Sequence, residues 1–229
     1  MDLDRAVSSV QTALAHGADP GKVAGMQAYM KTDMPLYGVQ KPGRVQILRR
    51  LKKDFPPSTR AEYEDLVVAL WELPHREEKY LAQGVAVTFE AFIVPESLPL
   101  YRRLITEGAW WDFVDDAATH LVRELVIRYP GEAWPVVDSW IDDEDLWLRR
   151  AAILCQVGAR DRTGEERLFR FCAERAHEKE FFIRKAIGWA LREYSKFDPG
   201  AVARFVTAHR DDLSGLSYRE ATRHLGELE

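Results

Sequence analysis

The chain of 229 residues has only two cysteines, Cys155 and Cys172. That is too few for the disulfide framework of a small secreted domain, and both lie in helical-looking runs, as core thiols of a reducing compartment would. No segment approaches about eighteen uncharged apolar residues, and the start, Met1-Asp2-Leu3-Asp4-Arg5, lacks a basic region followed by an apolar one. The expectation is a soluble cytoplasmic protein with no membrane partner. His16, His75, His120, His177, His209 and His224 are scattered without metal-ligand spacing. No serine or cysteine is paired with a base, and no glycine-rich phosphate loop is present. Sustained apolar/polar alternation is missing as well, so strands are not expected. Positive charge is not in excess either: 32 Lys and Arg stand against 37 Asp and Glu, a net charge of −5. A protein coated in basic surface is excluded, whereas a local basic face is not.

What is present is the balance of a globular chain, with 46% hydrophobic and 30% charged residues. The three-four apolar spacing of helices recurs throughout and predicts an all-α fold. Helices are expected over 3–16, 20–33, 42–54, 58–71, 75–92, 96–107, 110–129, 131–141, 145–160, 164–178, 180–196, 199–210 and 216–227. Asp19-Pro20, Lys41-Pro42, Pro56-Pro57-Ser58, Leu73-Pro74, Pro130-Gly131 and Asp198-Pro199-Gly200 punctuate them. A single domain over 1–229 is expected, and a monomer.

Charge is unevenly spread. The net value is −8 over residues 1–145, +5 over 146–192 and −2 over 193–229. A second basic island, Lys41, Arg44, Arg49, Arg50, Lys52 and Lys53, has no acid between its ends. Such islands on an acidic chain are consistent with a polyanion-binding face or with solvated helix surfaces. Many short helices with short loops point to stacked repeats. Indeed Leu146-Trp147-Leu148-Arg149-Arg150-Ala151 aligns with Phe181-Phe182-Ile183-Arg184-Lys185-Ala186 at an offset of 35, and Asp115 lies 35 residues before Arg150. In stacked helix pairs a shared offset sets equivalent side chains side by side, so Asp115, Arg150 and Lys185 are expected along one groove of HEAT-like repeats.

Two tryptophans and three carboxylates crowd Trp110-Trp111-Asp112-Phe113-Val114-Asp115-Asp116. Trp111 and Asp115, four apart, share one helix face. Read without other context, this is either a core tryptophan beside acids at a helix start or a site. Trp147 precedes Arg149-Arg150, and Phe181-Phe182 precede Arg184-Lys185, with Trp189 and Arg192 following. Cations for phosphates interleaved with rings for bases or sugars suit a nucleic-acid surface, as they also suit snorkelling helix faces. Trp71, Trp134 and Trp140 are candidates for core.

These residues resemble the AlkD-type alkylpurine DNA glycosylases, the HEAT-like-repeat branch of bacterial DNA alkylation repair proteins. The likeness runs through Met26-Gln27-Ala28-Tyr29-Met30-Lys31, Gly38-Val39-Gln40-Lys41-Pro42 and Leu70-Trp71-Glu72-Leu73-Pro74. It continues through Trp110-Trp111-Asp112, Trp147 to Leu154, Lys179-Glu180-Phe181-Phe182, Lys185-Ala186-Ile187-Gly188-Trp189 and Leu191-Arg192-Glu193-Tyr194. It implies a curved solenoid of antiparallel helix pairs that excises cationic N3- and N7-alkylpurines from double-stranded DNA. No cofactor and no metal is implied. Trp111, Asp115, Arg150 and Trp189 match the active-site set. Tyr29, Gln40, Phe181, Phe182 and Arg192 match the DNA-binding surface, to which the neighbouring cations Lys41, Arg44, Arg149, Arg184 and Lys185 are added by their charge.

The resemblance further implies that base flipping is not used, that Asp115 stabilises an oxocarbenium-like sugar and orients water, and that Arg150 holds a phosphate. One departure is Gln156-Val157-Gly158-Ala159-Arg160, where the family often carries a further basic residue; Arg160 is the nearest substitute. Two other readings remain: a non-catalytic binder of damaged or branched DNA, and a HEAT-like protein scaffold.

Overall fold

A computed structural model describes residues 1–225. Among these residues every regular element is helical, as the apolar spacing predicts. The chain forms two compact units, Met1–Ile93 and Val94–Glu229.

The first unit holds α1 (Leu3–His16), α2 (Pro20–Met30), α3 (Lys41–Asp54), α4 (Arg60–Trp71) and α5 (Arg76–Thr88). Their starts are written in the sequence: the side chains of Asp2, Asp19 and Thr59 accept from backbone N–H groups of the first turns, satisfying donors that a helix leaves unpaired. Their inner faces bury Val10, Leu14, Leu66, Leu70, Leu81 and Val85, each contributing about 1.5–3 kcal/mol on burial. α1 packs on α3 and α4, α4 on α5, and α3 on α5. The chain leaves α2 at Lys31 in a left-handed conformation, φ 50°, so this helix stops earlier than its pattern suggests. The expected helix 75–92 splits at Phe89 into α5 and a 3-10 turn, Glu90–Phe92, because Phe92 swings in to stack on the buried Tyr63 ring at 5.4 Å.

The second unit opens with a 3-10 turn, Pro95–Ser97, then α6 (Leu98–Gly108), α7 (Trp111–Asp116), a π-helical segment Ala117–Val122, α8 (Arg123–Arg128) and α9 (Pro130–Trp140). α10 (Leu146–Leu154), a 3-10 turn Arg160–Arg162, α11 (Glu165–Glu174), α12 (Phe181–Ser195), α13 (Pro199–Ala208) and α14 (Gly215–Ala221) follow. The end of the expected helix 216–227 lies outside the described residues. α10 packs on α6, α7 and α12, and α12 on α13 and α14, over a core that includes Phe113, Leu148, Ile153, Ile183, Ile187 and Leu191.

α10 is shorter than the expected 145–160. Gly158 sits at φ +83°, a conformation open to glycine, and a Cβ there would meet the Arg123 guanidinium at 3.1 Å. The departure at this position therefore has a backbone reason. Gly188, within α12, permits α14 to approach: a Cβ there would lie 2.5 Å from the Glu220 Cβ.

Candidate active site and nucleic-acid interface

The site is built where three helices of the second unit, α7, α10 and α12, meet. The Asp145 side chain caps α10 by accepting from the N–H groups of Trp147 and Leu148 at 2.7 and 3.3 Å. That start sets the register of Arg150, one turn further on. α7 carries Trp111 in its first turn and Asp115 four residues later, on the same face. From α10 the Arg150 guanidinium donates to both Asp115 oxygens, Nε at 2.7 Å and Nη2 at 2.9 Å. Its Nη1 donates to the Phe182 carbonyl in the first turn of α12. The repeat offset has thus become a physical contact, and it recurs: Lys185 Nζ donates at 2.7 Å to Glu220, again 35 residues on, and the Trp147 and Phe182 rings, 35 apart, lie 4.9 Å from each other.

The Asp115 side chain is 15% exposed and that of Arg150 only 4%. Burial, with Asp112 and Asp116 nearby, pushes the Asp115 carboxyl above its ordinary value, while the Arg150 hydrogen bonds and charge pull it back. A bidentate guanidinium contact calls for the ionised carboxylate. The backbone here is unusual too. The π-helical segment begins directly after Asp116; Thr119 Oγ1 donates to the Asp115 carbonyl at 2.7 Å, and His120 Nδ1 lies 3.0 Å from the Asp116 carbonyl. π-turns recur at functional positions. Beside the pair stands an aromatic cluster: Trp110 packs against Phe182 and Trp147 with centroids 5.4 and 6.1 Å apart, and Phe181, 53% exposed, meets Phe182 edge-on.

The structure brings Asp115 and Arg150 together and gives both arginines of α10 partners inside the protein. Arg150 is 3% exposed, with Nε, Nη1 and Nη2 each donating inside the protein, to Asp115 and to the Phe182 carbonyl. Arg149 is held by Glu178 at 3.0 and 3.1 Å and by the carbonyls of Asp143 and Glu144. Lys185 and Arg192 both bond to Glu220. The guanidinium and ammonium pull the Glu220 carboxyl below its ordinary value against a smaller opposing effect of burial. Arg184 is half-buried. Trp189 is half-buried one turn beyond Lys185 on α12.

In the first unit Tyr29 is 72% exposed on α2. Gln40 and Lys41 are exposed at the start of α3. Arg44 donates to the Val39 carbonyl at 2.8 Å and lies 4.4 Å over the Tyr80 ring. The loop leading to Gln40 is clamped by Glu77, fully buried, which accepts from the N–H groups of Tyr37, Gly38 and Val39 at 3.1, 2.8 and 3.0 Å. Gly38 sits at φ +84°, where a Cβ would lie 2.1 Å from the Asp19 carbonyl oxygen. The Gly38-Val39-Gln40-Lys41-Pro42 run is therefore a backbone device that presents Gln40 and Lys41. Glu77, Glu178, Glu220, Trp110 and Trp147 were missing from the expected site. The offset of 35 from Lys185 points to Glu220; for Glu77 and Glu178 the sequence gives no such signal.

The chain matches the family model described as DNA alkylation repair enzyme over residues 10–225. Among solved structures, a protein from Enterococcus faecalis described as a predicted DNA alkylation repair enzyme is similar over 92% of this chain and 97% of its own, at 28% identity and a TM-score of 0.82. AlkD2 from Streptococcus mutans is similar over 90% of this chain and 100% of its own, with 17% identity and a TM-score of 0.62. For smu.31 from Streptococcus mutans UA159 the shares are 80% and 100%, at 17% identity and a TM-score of 0.59. At such identity the latter two speak to the fold alone, a helical-repeat one. A comparison with the curated proteins finds no match. Because the family model runs through both units and nearly the whole described chain, the chain belongs to the DNA alkylation repair enzyme family.

Proposed function

We propose that this repair enzyme is a glycosylase that hydrolyses the N-glycosidic bond of cationic N3- and N7-alkylpurines in duplex DNA, without flipping the base into a pocket. The observation that carries the reading is the Asp115–Arg150 pair: a largely buried carboxylate, held in one plane by two hydrogen bonds and one turn from Trp111. Alkylation at N3 or N7 leaves a positive purine whose bond to C1′ is already weak. The base departs as a neutral molecule with the bonding electrons, and positive charge passes to the sugar. Water then adds to C1′ and releases a proton. Asp115 faces that developing charge as a fixed anion and accepts a hydrogen bond from the attacking water with the lone pairs that Arg150 leaves open. No protonation of the leaving group is needed, so the reaction asks for no metal or organic cofactor.

Trp111 and Trp189 are assigned to the cationic nucleotide, whose positive charge favours the faces of their rings. Arg150 is assigned to orient Asp115. Phosphate contacts fall to cations that no acid holds. The two units act as one glycosylase domain in this reading, supported by a family match that spans both.

The deciding experiment is release of N7-methylguanine and N3-methyladenine from alkylated duplex DNA by wild type and Asp115→Asn, corrected for spontaneous depurination. Asp115-dependent release is the expected outcome. Retained DNA binding without release would replace this reading by a non-catalytic DNA binder, and failure of both would leave a protein-binding scaffold.

A further inference from the structure

We infer that the outer face of α3 is a second DNA-contacting surface, on which Arg49, Lys52 and Lys53, continuing from Lys41, meet the phosphate backbone of duplex DNA. This rests on the reading of the chain as a duplex-DNA enzyme and extends it from Lys41 to Arg49, Lys52 and Lys53, which neither the site nor the resemblance uses. On a helix turning about 100° per residue, Lys41, Arg49, Lys52 and Lys53 fall in a sector of roughly 120°. That sector points away from Ile47 and Leu51, which are buried against the unit's core. Arg50 leaves the sector and faces the cleft that α3 shares with α1. From Lys41 to Lys53 the row extends about 18 Å, a stretch of duplex axis that carries on the order of ten phosphates over both strands.

These four side chains are exposed and make no hydrogen bond or ion pair among the described residues. In the same protein Arg149, Arg150, Arg167, Arg170, Arg175 and Lys185 each hold an Asp or Glu. Arg49 is three and four residues from Lys52 and Lys53, the spacings at which like charges on a helix repel. Lys52 and Lys53 gain a little from the negative helix end, but Arg49 and Lys41 do not. The folded protein thus keeps a repulsion that a polyanion would relieve, and the occupant that fits a straight row of unpaired cations on a DNA enzyme is the duplex backbone.

The test is the triple variant Arg49→Gln/Lys52→Gln/Lys53→Gln, with binding to an undamaged duplex of about 20 base pairs followed over a series of salt concentrations. We expect the plot of log affinity against log salt to become less steep by about 2 to 3, close to 0.9 for each phosphate that is no longer neutralised. Single-turnover alkylpurine release at saturating enzyme should stay within about twofold of wild type, and the melting temperature should be unchanged or higher. An unchanged salt slope overturns the proposal and leaves these residues as a solvated helix face. If wild type releases no alkylpurine yet the slope falls, the surface stands and the glycosylase reading fails. Release with an unchanged slope does the reverse.

Discussion

Cations of α3 and cations of α10 and α12 are the same residue types on similar helices, and the structure gives them opposite circumstances. Along α3, Lys41, Arg49, Lys52 and Lys53 pair with no acid among the described residues. Along α10 and α12, Arg149 meets Glu178, Arg150 meets Asp115, and Lys185 and Arg192 share Glu220. The charge count over 146–192 made that segment look like the basic face. Several of its compensating acids, however, come from outside it: Asp115, Asp138, Asp142 and Glu220 belong to neighbouring repeats, about one repeat away in sequence, while Glu178 lies within it. A carboxylate within about 3 Å cancels most of a cation's pull on a phosphate farther off. The α3 row therefore keeps its long-range pull, whereas pairing fixes Arg149, Arg150, Lys185 and Arg192 in place.

The contrast can be broken from the paired side first. Asp115→Asn removes the acid of the buried pair while keeping its shape. Single-turnover alkylpurine release should fall by about 10²–10³-fold, yet duplex affinity should hold or rise, since Arg150 loses its internal anion. An undiminished rate would end the role given to Asp115. Arg150→Ala is the complementary cut: it strands a buried carboxylate, at about 3–5 kcal/mol, and should lower the melting temperature by roughly 6–20 °C. Its salt slope for undamaged duplex should stay that of wild type. A shallower slope would restore Arg150 as a phosphate contact.

Glu220→Gln sharpens the comparison by turning paired cations into free ones. With Lys185 and Arg192 released, the salt slope should steepen by about one to two, and affinity at moderate salt should rise; weaker binding would mean that Glu220 serves only to seat α14. The smallest effect is on the pH profile. Burial raises the Asp115 carboxyl, and the ionised form is the active one, so the rate should climb with pH through a midpoint above the ordinary aspartate value and then level off. Rates over about pH 4.5–8, after subtraction of acid-driven depurination, check this. The residual rate of Asp115→Asn should show no such limb.

Much of the helix layout was legible because its signals are local. Asp2, Asp19, Thr59, Asp145, Asp198 and Ser214 cap helices as their residue types predict, and prolines stand in the first turns of α2, α3, α6, α9 and α13. The offset of 35 also foretold the Asp115–Arg150 contact, because stacked repeats translate a sequence interval into a lateral neighbour. What failed were predictions about ends and partners. The break at Phe89 depends on a ring that swings against Tyr63, and the early end of α10 on a left-handed Gly158 beneath Arg123. Neither contact has a local signature.

By itself, then, the sequence determined that this chain is all-helical, where most of its helices begin, and which Trp-Asp-Arg set sits one repeat apart, since periodicity, capping and repeat spacing act over a few residues or a fixed interval. Only the tertiary structure decided which charges remain available. Arg149 and Arg49 look alike in sequence, and they differ because packing sets Glu178 against one of them and no acid against the other. An electrostatic field depends on distance in space, and distances of a few ångströms between residues about 30 apart in the chain exist only once the helices have stacked.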